Sequence, residues 1–79
     1  MSAPGEKEPS SNLDWWTEFH EQVARLPEEE REVFELKWYH RLKRAEVAMV
    51  LGLSETTVRY RWLAARLRMR QFMQDRLPA

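Results

Sequence analysis

The 79-residue sequence contains no cysteine. That excludes a disulfide framework and a thiolate metal site as means of stabilising so short a chain. No apolar run approaches the ~20 residues a membrane span requires, and no signal-peptide pattern opens the chain. A cytoplasmic protein is expected. Glycine occurs twice, and neither glycine belongs to a Gly-rich phosphate loop. The two histidines, His20 and His40, lie far apart with no Asp or Cys arranged around them. His20 falls on the apolar face of its segment, where a satisfied core histidine is the ordinary outcome. No metal-ligand spacing occurs either. Catalysis, a cofactor and a metal are therefore not expected. No segment reads as a strand and there is no internal repeat, so the fold class expected is all-α.

What the chain does have is large side chains. A chain of this size buries only about 60% of the surface its unfolded form exposes, so its core must be dense. Four Trp and three Phe, together with many Leu and Val, supply that core, each large side chain contributing roughly 1.5–3 kcal/mol when buried. Charge is plentiful and separated. Residues 1–35 carry ten acids against three bases, and residues 36–79 carry three acids against ten bases, so a net charge of zero conceals −7 and +7. The second half can present one basic face, whose field attracts phosphate.

Residues 1–11 are polar, with Pro and Ser and no periodic apolar residue; a disordered tail is expected there, followed by a domain over 12–77. Ser11 or Asn12 can cap a first helix, with Leu13, Trp16, His20 and Val23 on one stripe, Phe19 and Leu26 alongside, and Trp15 off it. Pro27 followed by Glu28, Glu29 and Glu30 marks the start of a second helix to about Tyr39. Proline suits a first turn, and carboxylates favour the positive end of the helix dipole. Val33, Phe34, Leu36 and Trp38 should face neighbours. A third helix spans about Lys43 to Leu51, with Val47, Val50 and Leu51 as apolar positions. Gly52 supplies the turn, and Ser54 caps a fourth helix. On that helix Val58, Trp62, Ala65, Met69 and Phe72 recur at spacings of 4, 3, 4 and 3, and it should end near Gln74.

Residues 43–70 meet the requirements of a helix-turn-helix. A small residue is needed where two steeply crossed helices meet, a glycine in the turn, and an apolar residue on the second helix to lock it to the first. Ala48, Gly52 and Val58 occupy those places. With Val58, Trp62 and Ala65 facing the core, Thr56, Arg59, Tyr60 and Leu63 face away, bordered by Glu55, Thr57 and Arg61. This face suits a DNA major groove: Arg bonds guanine bidentately, Glu accepts from cytosine, and apolar atoms touch a thymine methyl. Lys43, Arg44, Arg61 and Arg66 are candidates to hold phosphates.

The run from Leu26 to Met73 resembles region 4 of the extracytoplasmic-function sigma factors. The matching pieces are LPEEEREVFEL at Leu26–Leu36, AEVAMVLGLSETTVR at Ala45–Arg59 and AARLR at Ala64–Arg68. The resemblance implies a small four-helix domain with a C-terminal helix-turn-helix. It further implies recognition of the promoter −35 element in double-stranded DNA, docking on RNA polymerase through the flap of its β subunit, and control by an anti-sigma factor. Base-reading positions carry over to Glu55, Thr56, Thr57, Arg59, Tyr60, Leu63 and Ala64. The chain departs from the family pattern at four places. Tyr60 stands where a small residue is common, Ala64 where Arg is common, Arg41 where Gly precedes the third helix, and Lys43 where Ser or Thr caps it.

A monomer is expected, and either an excised domain or a free-standing regulator, since no segment matches the domain that melts the −10 element. Two other functions fit parts of the pattern. A response-regulator C-terminal domain shares the second helix and the helix-turn-helix, but its last helix usually ends sooner. A protein-interaction module without DNA binding could use the acidic helices and Trp15.

Overall fold

The computed structural model describes the backbone of residues 3–74 and the side chains of residues 13–74. It contains four helices and no strand among the described residues: α1 (Ala3–Ala24), α2 (Glu28–Trp38), α3 (Arg44–Leu51) and α4 (Glu55–Phe72). The chain is all-α, as its composition and periodicity indicate. α1 begins at Ala3, upstream of the expected caps at Ser11 and Asn12 and within the segment expected to be a disordered tail. Pro4 falls in its first turn, where a missing N–H leaves nothing unbonded. The helix also runs through Pro9, whose missing N–H leaves the Gly5 carbonyl without its usual partner within the helix. Residues 1, 2 and 75–79, including the ends of the expected tail and domain, lie outside the described residues.

Each junction has a local cause. α1 unwinds through Arg25 N–H to Gln22 C=O and Leu26 N–H to Val23 C=O. Pro27 is the residue before α2, with φ −53° and ψ 144°, and its carbonyl accepts from Arg31 N–H at 2.8 Å to open the first turn. At the other end of α2 the chain reverses at Arg41, which has φ +56°. A non-glycine residue held there costs on the order of 1 kcal/mol, and Leu42 N–H returning to Leu36 C=O at 3.1 Å helps to hold it. Gly52 makes the corresponding turn after α3 at φ +68° and ψ 37°, and its N–H bonds Ala48 C=O. Two successive helix exits thus use left-handed backbone, one with a glycine and one without.

Lys43 is the N-cap of α3 and has no acceptor to offer. The Glu46 carboxylate accepts from Lys43 N–H at 2.7 Å, so only the reciprocal half of a capping box is present. Ser54 does cap α4: its Oγ accepts from Thr57 N–H at 3.1 Å. Changing Lys43→Ser should complete the box at α3 and stabilise the domain by about 0.5–2 kcal/mol. Thermal unfolding should show this as a rise in Tm of roughly 4–8 °C per kcal/mol.

Two apolar clusters form the core. One joins α1, α2 and the end of α4 through Phe19, Val23, Leu26, Phe34, Ala65, Met69 and Met73. The other joins Val33 of α2, Val47 and Ala48 of α3 and Val58 of α4. Trp62 packs against both. Its ring lies 5.3 Å from Phe34, with the Lys37 ammonium 5.3 Å and the Arg66 guanidinium 5.8 Å from its centroid.

The seam of α1 differs from the expected stripe. Trp15, Phe19, Val23 and Leu26 face inward, whereas Leu13 and Trp16 are exposed and His20 lies on the surface. Trp15 stacks on Phe19 at 5.4 Å. His20 Nδ1 pairs with the Tyr39 hydroxyl instead of entering the core. Burial, and secondarily the Glu35 carboxylate, push the Tyr39 phenol above its ordinary value. Val50 is exposed on α3, and Met73, not Phe72, fills the core at the end of α4. On α4 the expected Val58, Trp62, Ala65 and Met69 do lie inward, so the shift from the stripe read from spacing is confined to α1 and to single positions on α3 and at the end of α4.

Candidate nucleic-acid interface

α3 and α4 cross with Ala48 and Val58 at their contact, 8% and 0% exposed, and Val47 fully buried beside them. The small residue, the turn glycine and the locking apolar residue therefore occupy the places the helix-turn-helix reading assigned. Fixing Val58 inward fixes what α4 shows to solvent. Thr56, Arg59, Tyr60 and Leu63 are exposed along one face, with Tyr60 64% exposed, and Glu55 is exposed at the first turn. The open face lies at the N-terminal half of α4, the part that penetrates the major groove in this motif.

The structure separates the eleven sequence-derived positions into groups. Glu55, Thr56, Arg59 and Tyr60 share the open face. Thr57 is half-buried, and its backbone and hydroxyl are both engaged by Ser54, the hydroxyl at 3.0 Å, so it closes the cap. Leu63 is exposed but also lines an apolar groove on the other flank of α4. Ala64 is half-buried. Lys43 is exposed ahead of α3. Arg44 reaches across to Glu55, Nε to Oε1 3.3 Å. Arg61 turns back toward Glu29 of α2 at 3.8 Å, with only 27% of its side chain exposed. Arg66 lies over Trp62.

Ion pairs that spacing does not show thus decide which arginines are available. Glu29 and Glu30, read from sequence as dipole partners of α2, also bind α4: Glu30 Oε1 accepts from Arg68 Nε at 2.7 Å. A second basic feature was also hidden. Lys37 of α2, Arg44 of α3 and Arg59 of α4 line one depression of about 200 Å³ beside Val58 and Trp62. Lys37 gave no signal in the sequence, because nothing in spacing places α2 next to the recognition helix.

Residues 16–69 match the family described as sigma-70, region 4. The chain belongs to that family. The match covers more than half of the sequence and takes in the second half of α1 as well as the helix-turn-helix. Region 4 in this form is typical of extracytoplasmic-function sigma factors, and this excludes a response-regulator domain as the reading of the helix-turn-helix. No curated protein matches the chain. A sigma region 4 is a DNA-binding, non-enzymatic transcription-factor domain, and membership carries promoter DNA and RNA polymerase as partners at the level of the family. Among the described residues of this region 4, no helix is long and apolar enough to cross a membrane.

A groove flanked by Leu63 lies on the other flank of α4 from its exposed N-terminal face. It measures about 590 Å³ and is lined by Trp15, Phe19, Phe34, Trp38, Leu67 and Met69, among others, with Arg66 and Arg70 at its edge. Trp15 Nε1 is buried without an acceptor. A buried unpaired N–H costs roughly 1–3 kcal/mol. The groove is mostly apolar, with two arginines in its lining. Sequence reading found the aromatic residues that line it but not their convergence, because Trp15 was placed off the stripe.

Proposed function

We propose that this domain binds a promoter −35 element by inserting the N-terminal half of α4 into the major groove. Glu55, Thr56, Arg59 and Tyr60 face the base edges, and Lys43 and Arg66 hold the backbone. The observation that carries this reading is the exposure of those four residues on one side of a helix whose other side is locked to α3 by Val58. Arg59 can bond guanine O6 and N7, while the Tyr60 ring offers apolar contact to a thymine methyl. A large aromatic at Tyr60 and a neutral Ala64 support a base preference different from that of members with a small residue and an arginine there.

The apolar groove supports the second half of the function, docking on RNA polymerase through the β-subunit flap. An amphipathic helix laid into such a groove buries its apolar face. An anti-sigma factor that covered this groove would block that docking. The domain acts as a monomer in the cytoplasm, within a sigma factor.

The direct test is selection of bound duplexes from a random pool, followed by Arg59→Ala. The substitution should weaken binding to the selected sequence by about 1–3 kcal/mol and relax preference at one base pair. An equal loss on every sequence would assign Arg59 to the backbone.

A further inference from the structure

Arg44 and Glu55 were assigned separately, one to phosphate and one to a base, yet they hold each other. Arg44 opens α3 and Glu55 opens α4, so the pair bridges the two helices of the helix-turn-helix at its DNA-facing end. Nε and Oε1 are 3.3 Å apart, with both side chains about half exposed. Arg44 also lines the depression shared with Lys37 and Arg59. The Lys37 ammonium is steered there by the Leu42 carbonyl, 3.5 Å away, and by the Trp62 ring. No ion pair engages Lys37 or Arg59 among the described residues. Three cations from three helices thus line one hollow, and one of them, Arg44, is paired with the Glu55 carboxylate.

A lone carboxylate at the leading end of a recognition helix is repelled by the DNA backbone unless a cation offsets it. Glu55 engages only Nε of Arg44, so the two Nη groups of the same guanidinium are left to meet a phosphate. We propose that a backbone phosphate docks in this hollow between Lys37 and the Arg44 Nη donors while Arg44 Nε stays on Glu55, keeping that carboxylate neutralised and aimed to accept from a cytosine amino group. Arg44 is then a positioning residue for base choice, acting through Glu55, and Lys37 is a phosphate contact. This rests on the promoter-reading function proposed above.

The pair is solvated and contributes little to folding, so variants at both positions should fold, as circular dichroism can verify. Binding of the chain to its selected duplex is measured for wild type, Arg44→Ala, Glu55→Gln and the double variant, each with the C·G pair present or replaced. Arg44→Ala alone should lose about tenfold or more in affinity and most of its C·G preference, because Glu55 is left unneutralised beside phosphate. In the Glu55→Gln background the same change should lose only about threefold, a coupling within the range of contacting pairs. Arg44→Lys should recover much of the preference, and Lys37→Met should lower the salt slope by about 0.9. Equal losses from Arg44→Ala in both backgrounds would overturn the proposal and leave Arg44 a simple phosphate clamp. If Arg59→Ala also leaves base preference unchanged, or no duplex is selected, the promoter-reading function fails and the coupling with it.

Discussion

Replacing Phe34 with alanine should unfold most of the domain at temperatures where the parent is native. Phe34 is 2% exposed and sits where three helices meet. Its ring lies 6.0 Å from Phe19 of α1, 5.7 Å from Trp38 on its own helix and 5.3 Å from Trp62 of α4. Removing a buried phenyl ring costs about 3–5 kcal/mol in lost transfer energy and residual cavity. At roughly 0.05–0.15 kcal/mol per residue, a chain of this length has a total stability of only about 4–12 kcal/mol. The loss should lower Tm by roughly 15–30 °C, read by circular dichroism. Phe34→Leu keeps most of the volume and should cost far less. Equal, small shifts for both variants would mean that α1 does not depend on this ring.

Affinity for DNA should fall about 40-fold between 50 and 200 mM salt if three phosphates are neutralised, since each contributes about 0.9 to the slope of log affinity against log salt. The distribution of that slope among residues is the sharper test. Lys43 is exposed ahead of α3, so Lys43→Ser should reduce the slope by about 0.9 even as it raises Tm. Arg61 is turned toward Glu29, so Arg61→Ala should leave the slope nearly unchanged. A reduction of similar size for both would show that the Glu29 pair opens on DNA. Indifference to salt in the parent would favour the apolar groove as the binding surface.

These expectations divide according to what a sequence can specify. The cap at Ser54 and the turn at Gly52 were readable because each depends on residues within a few positions of one another, the Ala48–Val58 crossing because a short motif sets its spacing, and the charge separation because it is a matter of composition alone. The exposed set Thr56, Arg59 and Tyr60 followed from the same periodicity: once Val58 faces in, helical geometry turns them out. The strain at Arg41 was visible as a departure from the family's glycine, although its φ of +56° was not.

The stripe on α1 was read about one position out of phase, and the reason is aromatic. Trp15 and Trp16 are adjacent and equally apolar, so spacing alone cannot choose between them. Contact with Phe34 and Trp38 across the helix interface made Phe19 the anchor, through rings 6.0 and 5.3 Å away, and Phe19 brought in Trp15, one turn earlier. The expected start at Ser11 or Asn12 likewise weighed local capping and composition, whereas the backbone is helical from Ala3.

By itself, the sequence determined four helical segments, the helix-turn-helix between Lys43 and Arg70, and the side of α4 that meets solvent, since local hydrogen bonding and a 3.6-residue period decide these. Tertiary structure alone decided which cations are committed and which are available. Glu29 and Glu30 reach α4 across 32 and 38 positions, and the hollow lined by Lys37, Arg44 and Arg59 draws on three helices. Charge pairs act through space over a few ångströms, and no periodicity along a chain encodes which distant side chains the packing will bring that close.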